Sequence, residues 1–185
     1  MHTRIRELLE YLDAQRVVLR DAFDAVPASR RDAAPAPGCW STAGIVEHLA
    51  IVEGRLAGFL KARIEKARAE GLAAETSTDP ILPTIDVSRV LNRSTRINAP
   101  EAVVPAGMPA DAAWAALERS GVSLRDVFRS GDGLALGAVT FPHPLFGPLT
   151  VYEWIAVAAA HEPRHAAQIR EMAASGAEQT SQVES

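Results

Sequence analysis

His161 and His165 lie four residues apart in the stretch 150–174, TVYEWIAVAAAHEPRHAAQIREMAA. At roughly 100° per residue, Trp154, Val157, Ala158, His161, His165, Gln168, Ile169 and Met172 share one side of a helix. The two imidazoles then stand one above the other, about 40° apart around the axis. That side is otherwise apolar except for the Gln168 amide. An imidazole aimed into a core needs a hydrogen bond or a metal, because burying it alone is costly. A divalent cation would satisfy both rings at once, and a pair of satisfied core or rim histidines is the alternative.

A third candidate stands elsewhere in the chain. Of the five histidines, His2 is terminal and His143 sits between two prolines in an expected loop. His48 instead shares a helical stripe with Ile45, Val52, Leu56 and Phe59, flanked by Leu49 and Leu60. Helical bundles build metal sites from side chains on facing helices, so His48 would complete a three-nitrogen set. Three neutral imidazoles leave a coordination position open to water or substrate. An ion held there could acidify that water or a thiol. Such a set accepts zinc, nickel, iron or copper, and zinc or nickel is the expectation.

The segment His161-Glu162-Pro163-Arg164-His165 also spells H-E-x-x-H, the zinc-protease pattern. The metzincin extension is absent, since Gln168 and then Glu171 stand where further motif residues would follow. No strand is expected that could bind an extended peptide. Glu162 lies about 100° around the axis from His161, so it need not face an ion. It reads as an acidic helix residue. Pro163 removes one N–H and crowds the Ala159 carbonyl, which predicts a kink between the two histidines.

Four helices are needed to position these residues. Apolar periodicity predicts the first over 4–25, ending before Pro27. Ser41 caps a second that runs to about residue 70, with Gly71 as its stop. Pro109 opens a third, to about residue 129, whose core face is Ala113, Trp114, Leu117, Val122, Leu124 and Phe128. Thr150 and Glu153 have capping-box spacing at the start of the fourth. Residues 72–108, punctuated by prolines, read as a long crossover that joins two parallel helices. Arg89, Arg93 and Arg96 lie on it, either as an anion site or as solvated loop residues. Residues 134–149 read as a loop. One domain over 1–175 and a frayed polar tail over 176–185 are expected.

The composition is that of a soluble globular protein. Of 185 residues, 48% are hydrophobic and 23% charged, while aromatics at 5% favour close-packed helices. A net charge of −4 argues against a nucleic-acid partner. The single cysteine, Cys39, cannot form an intrachain disulfide, which suits a reducing compartment. It reads as a small residue at a helix entrance. No leader-like segment or membrane span is apparent, so a cytoplasmic protein is expected.

The residues together resemble those of the DinB-like superfamily. Gly38-Cys39-Trp40-Ser41, with Glu47-His48-Leu49 and Val52-Glu53, is similar to the start of its second helix. His143-Pro144-x-Phe146-Gly147-x-Leu149-Thr150, Glu153-Trp154 and His161-x-x-Arg164-His165-x-x-Gln168-Ile169 resemble its fourth-helix signature. Pro163 within the histidine pair departs from the pattern. The resemblance implies an all-α, up-down-down-up four-helix bundle, often dimeric. It also implies a divalent metal held by three histidines, which here fall on His48, His161 and His165.

Members of that superfamily include thiol S-transferases that use a low-molecular-weight thiol and metal-dependent hydrolases. The leading expectation is therefore a thiol S-transferase acting on small molecules, with a hydrolase as the nearer alternative. A non-catalytic, stress-related binding or dimerisation bundle is the alternative from another class. Gln168 could orient a ring or meet substrate, and Arg164 could meet a substrate carboxylate or an acidic neighbour. Glu47 is a candidate beside the metal by position, and with Glu53 a candidate base. No catalytic residue beyond these is singled out.

Overall fold

The computed structural model describes residues 1–94 and 98–183, with side chains to residue 174. Four long helices, α1 (Thr3–Asp24), α2 (Thr42–Ala69), α4 (Ala110–Ser130) and α5 (Val151–Val183), form the bundle. A single-turn helix, α3 (Ser88–Leu91), lies on the crossover, and a hairpin of β1 (Thr140–His143) and β2 (Gly147–Thr150) precedes α5.

Core composition fixes the helix directions. One apolar cluster joins Ile5, Leu8 and Leu12 near the start of α1 to Leu56, Leu60 and Ile64 late in α2. The same cluster contains Leu124 and Phe128 from the end of α4, and Tyr152 and Ile155 from the start of α5. A second cluster joins Leu19 and Phe23 late in α1 to Ile45 and Leu49 early in α2, Ala113 and Leu117 early in α4, and Ile169 far along α5. So α1 and α5 run one way and α2 and α4 the other. The order is up-down-down-up. The most extensive packing is α2 against α4 and α1 against α5, whereas α2 and α5 meet over a short stretch.

Helix ends follow local chemistry. The Ser41 hydroxyl accepts from the Gly44 N–H at 3.0 Å. Thr150 and Glu153 form the reciprocal box, with the Thr150 N–H donating to Glu153 Oε2 at 2.7 Å and the Glu153 N–H to Thr150 Oγ1 at 3.2 Å. Gly71, at φ +77°, takes the left-handed conformation that ends α2. Pro109 sits one residue before α4, whose Ala110 N–H donates to Asp32 Oδ1 at 2.8 Å.

The crossover between α2 and α4 has little regular structure and is tied down by side chains instead. Arg4 donates to Glu75 at 3.0 Å, and the Ile81 N–H donates to Glu7 at 2.7 Å. The Tyr152 hydroxyl also donates to Glu75, at 3.0 Å. These bonds satisfy polar groups that a strand or helix would otherwise pair internally.

Three expectations are corrected. Residues 140–150 are not loop throughout but a hairpin, paired Thr140 with Thr150 through His143 with Gly147. Pro142 and Pro148 face each other in it, which a two-stranded ribbon tolerates because neither missing N–H leaves a further strand unpaired. Phe59 is 55% exposed and Val122 59% exposed, so neither belongs to its helix's core stripe. Among the described residues no helix is long and apolar enough to cross a membrane.

Candidate metal centre

His48 projects from α2 and His161 and His165 from successive turns of α5, and the three rings converge. Ring centroids are 5.3 Å apart for His48 and His161, 5.2 Å for His48 and His165, and 4.5 Å for the α5 pair. One nitrogen from each ring lies within 4.8 Å of the others. Nε2 of His161 and Nε2 of His165 are 3.0 Å apart. Two nitrogens at tetrahedral positions on one zinc ion would stand about 3.3 Å apart. The donor set and its spacing fit a divalent cation.

Outer contacts aim the rings. His48 Nδ1 donates to the Val103 carbonyl at 2.8 Å, since a carbonyl can only accept. His165 Nδ1 donates to Gln168 Oε1 at 2.9 Å. Both rings are thereby held in the tautomer that leaves Nε2 as a lone pair, the arrangement expected around a metal. Trp40 packs beside His48 with centroids 4.9 Å apart. Burial depresses all three basicities. His48 lies below its ordinary value, His161 falls well below, and His165 is pushed down to about 3. All three are neutral at pH 7, as ligation requires.

The carboxylates near the histidines are committed elsewhere. Glu47 is buried and accepts the N–H groups of Ala106, Gly107 and Met108 at 2.8, 3.0 and 2.8 Å. Those backbone bonds outweigh burial and hold its carboxyl below the usual range. Glu47 therefore anchors the crossover segment that carries Val103. Its link to the site runs through backbone.

Glu162 is an acidic helix residue that is fully buried, its carboxylate held by α1 rather than by the rings. Both of its oxygens meet the Arg16 fork, at 2.9 and 3.0 Å, and Arg16 also donates to Glu53 at 2.6 Å and to the Leu117 carbonyl at 3.2 Å. Ser120 donates to Glu53 at 3.2 Å. This polar layer joins all four long helices between the two apolar clusters. A Cβ at Gly121 would come within 3.2 Å of the Arg16 guanidinium, so glycine there leaves it room. Burial raises the Glu162 carboxyl against the pull of Arg16, and Glu53 adds to the rise. Although burial works against its charge, the two carboxylates hold Arg16 more firmly protonated than usual. Glu53 is engaged in this layer and is not a base facing the rings.

Pro163 lies inside α5 between these anchors. On the side away from Glu162, Arg164 donates to the Val90 carbonyl at 3.0 Å and to that of Asn92. Arg93 returns a bond to the Arg164 carbonyl at 3.1 Å and pairs with Glu171 at 2.6 Å. The proline-weakened turn is thus gripped from both flanks. Arg89 lies 5.0 Å from the Phe146 ring and donates to the Leu145 carbonyl at 3.3 Å. Arg96 falls outside the described residues.

The remaining histidines are not members of the cluster. His2 accepts from the Arg4 N–H at 3.3 Å at the start of α1. His143 joins the hairpin's aromatic cluster, 4.5 Å from Phe146 and 4.6 Å from Trp154. Cys39 is exposed and free. Sequence reasoning missed the Arg16 layer, for which a charged residue on the otherwise apolar α1 face at Leu12 and Leu19 was the available signal. It also missed Val103, for which a backbone acceptor leaves no signal.

Comparison with known proteins agrees with this architecture. No curated protein matches the chain at a significant level. A solved structure described as that of TT2238, a four-helix bundle protein, superposes with a TM-score of 0.61 at 22% identity, covering 90% of this chain and 98% of that one. Likeness at that identity concerns the fold. The model of the DinB superfamily matches residues 11–169, which include all three clustered histidines and every long helix in whole or part. The chain belongs to the DinB superfamily.

Proposed function

We propose that the protein is a metal-dependent enzyme of the thiol S-transferase type, acting on a small electrophile. The observation that carries this reading is the convergence of three neutral imidazoles, two of them fixed from behind by Val103 and Gln168. A divalent cation bound there would lower the pKa of a low-molecular-weight thiol. The thiol gives up its proton to water, its sulfur bonds to the electrophilic carbon, and the leaving group departs with the bonding pair. The chain's part is to hold the three nitrogens in place and to keep competing bases away.

That last point favours a transferase over a hydrolase. Metal-bound water is acidified by the ion itself, but moving its second proton to the leaving group draws on a general base, and the candidate carboxylates are engaged. Glu47 is occupied by three backbone N–H groups, and Glu53 and Glu162 by Arg16. A thiol, more acidic than water by several pKa units, needs no such base once its proton is loosened. Zinc-loaded protein should consume a model electrophile only when a thiol is present. Turnover of activated esters with metal alone would favour the hydrolase, and silence in both assays would favour a non-catalytic bundle.

A further inference from the structure

The α2 and α5 stripes that carry the histidines continue beyond them. Because the helices are antiparallel, residues after His48 on α2 run beside residues before His161 on α5. Seven residues advance a helix about 10 Å with only about 20° of drift. Arg55 on α2 and Trp154 on α5 therefore stand at about the same height above the rings. Val52 and Phe59 lie on the same α2 face, and Val157 and Ala158 on the α5 face.

Contacts close both ends of this strip. At one end His48 meets His161. At the other, the Arg63 guanidinium lies 5.7 Å from the Phe141 ring, which stacks on Trp154 at 4.7 Å and 8°. Between these ends few residues of α2 and α5 approach each other, and the strip is lined by apolar side chains, with His143 of the hairpin 4.6 Å from Trp154 at its far end. Phe59 is 55% exposed, while Val52, Trp154 and Val157 are half-buried.

The charges on the strip have one sign. Arg55 and Arg63 are exposed, and neither has an ion-pair or hydrogen-bond partner among the described residues. Most other arginines of the bundle are paired, such as Arg16, Arg93 and Arg125. The carboxylates nearest the rings are neutralised by Arg16 or by backbone N–H groups. A chain of net charge −4 thus presents unpaired cations above its histidine cluster.

We propose that the strip between α2 and α5 is the substrate cleft of the histidine site and takes a small molecule with a flat apolar body and a carboxylate. The body lies against Phe59 and Trp154, the carboxylate meets Arg55 and Arg63, and the reactive end points to the rings. A planar body suits the aromatic walls, and a carboxylate matches the guanidinium fork. This assignment rests on the reading of the histidines as the reactive centre, but its binding energy comes from groups that touch none of them.

Calorimetric titration with 4-phenylbutyrate and its neutral analogue 4-phenylbutanol tests the assignment, on zinc-loaded and on chelated protein. The carboxylate should bind at least tenfold more tightly than the alcohol in both forms. An Arg55→Gln/Arg63→Gln double variant should erase that difference, and Phe59→Ala should weaken both probes. Equal binding of the two probes, no binding of either, or a preference that survives the double variant would overturn it. A preference seen only in the zinc-loaded protein would also overturn it, by placing the carboxylate on the ion. Should the wild type bind the carboxylate yet take up no zinc, the cleft would stand and the metal reading would fall.

Discussion

His161 and His165 hold their Nε2 atoms 3.0 Å apart, and without an ion one must carry a proton. Because Gln168 fixes the proton of His165 on Nδ1, His161 is the donor between them. The buried rings also set the pH response. A histidine of ordinary basicity in the unfolded chain, but of pKa about 3 when folded as for His165, makes the unfolded state bind more protons between those values. Stability is therefore full above the unfolded value near 6.5 and falls as pH drops below it. Urea midpoints of chelated protein should decline from pH 8 to pH 5, and a His165→Gln variant should decline less steeply. A flat profile would contradict the burial of these rings. At Arg16 the arithmetic is different, because two buried carboxylates share one guanidinium. Arg16→Met would leave them facing each other, and the expected loss is about 3–5 kcal/mol in denaturant unfolding. A shift below about 1 kcal/mol would show that the layer is hydrated or protonated enough to do without its cation.

The elements that bear the site are held by contacts remote from it. Glu47 secures residues 106–108, that segment carries Val103, and Val103 aims His48. Glu47→Ala should leave the bundle folded yet weaken zinc binding by about 10–100-fold in competition with a chelator dye. Unchanged affinity would break the chain of contacts from Glu47 to His48. At the other histidine-bearing helix, Thr150→Ala removes half of the capping box and should cost about 1 kcal/mol. Metal affinity should not change, since the box lies at the far end of α5. The helices and caps were legible because Ser41, Thr150 and Glu153 act within a turn of where they stand. The histidine stripes were legible because 3.6-residue periodicity carries them. The hairpin was not, since Pro142 and Pro148 argue against strands unless one knows that no third strand pairs with them. Nor was the path of the crossover, whose anchors Arg4–Glu75 and Glu47–Gly107 join residues far apart in sequence. Phe59 looked like core by spacing alone, and only the packing of the folded helices leaves its ring 55% exposed.

At the scale of the whole molecule, two apolar clusters stand at opposite ends of the bundle with the Arg16 layer between them. The histidine cluster lies beside that layer, so the histidine-bearing helices α2 and α5 are joined through Arg16 as well as through any shared ion. An ion that binds the folded state alone stabilises it by mass action, and zinc should raise the melting temperature in a concentration-dependent way. The up-down-down-up order follows from this layout and requires the long crossover, since α2 and α4 run parallel. The central claim is that His48, His161 and His165 form one metal site. Elemental mass spectrometry on protein purified without an affinity tag, beside His48→Ala, tests it most directly. About one zinc or nickel per chain, lost in the variant, is the predicted result. Negligible metal after incubation with both ions, or full retention in His48→Ala, would contradict it.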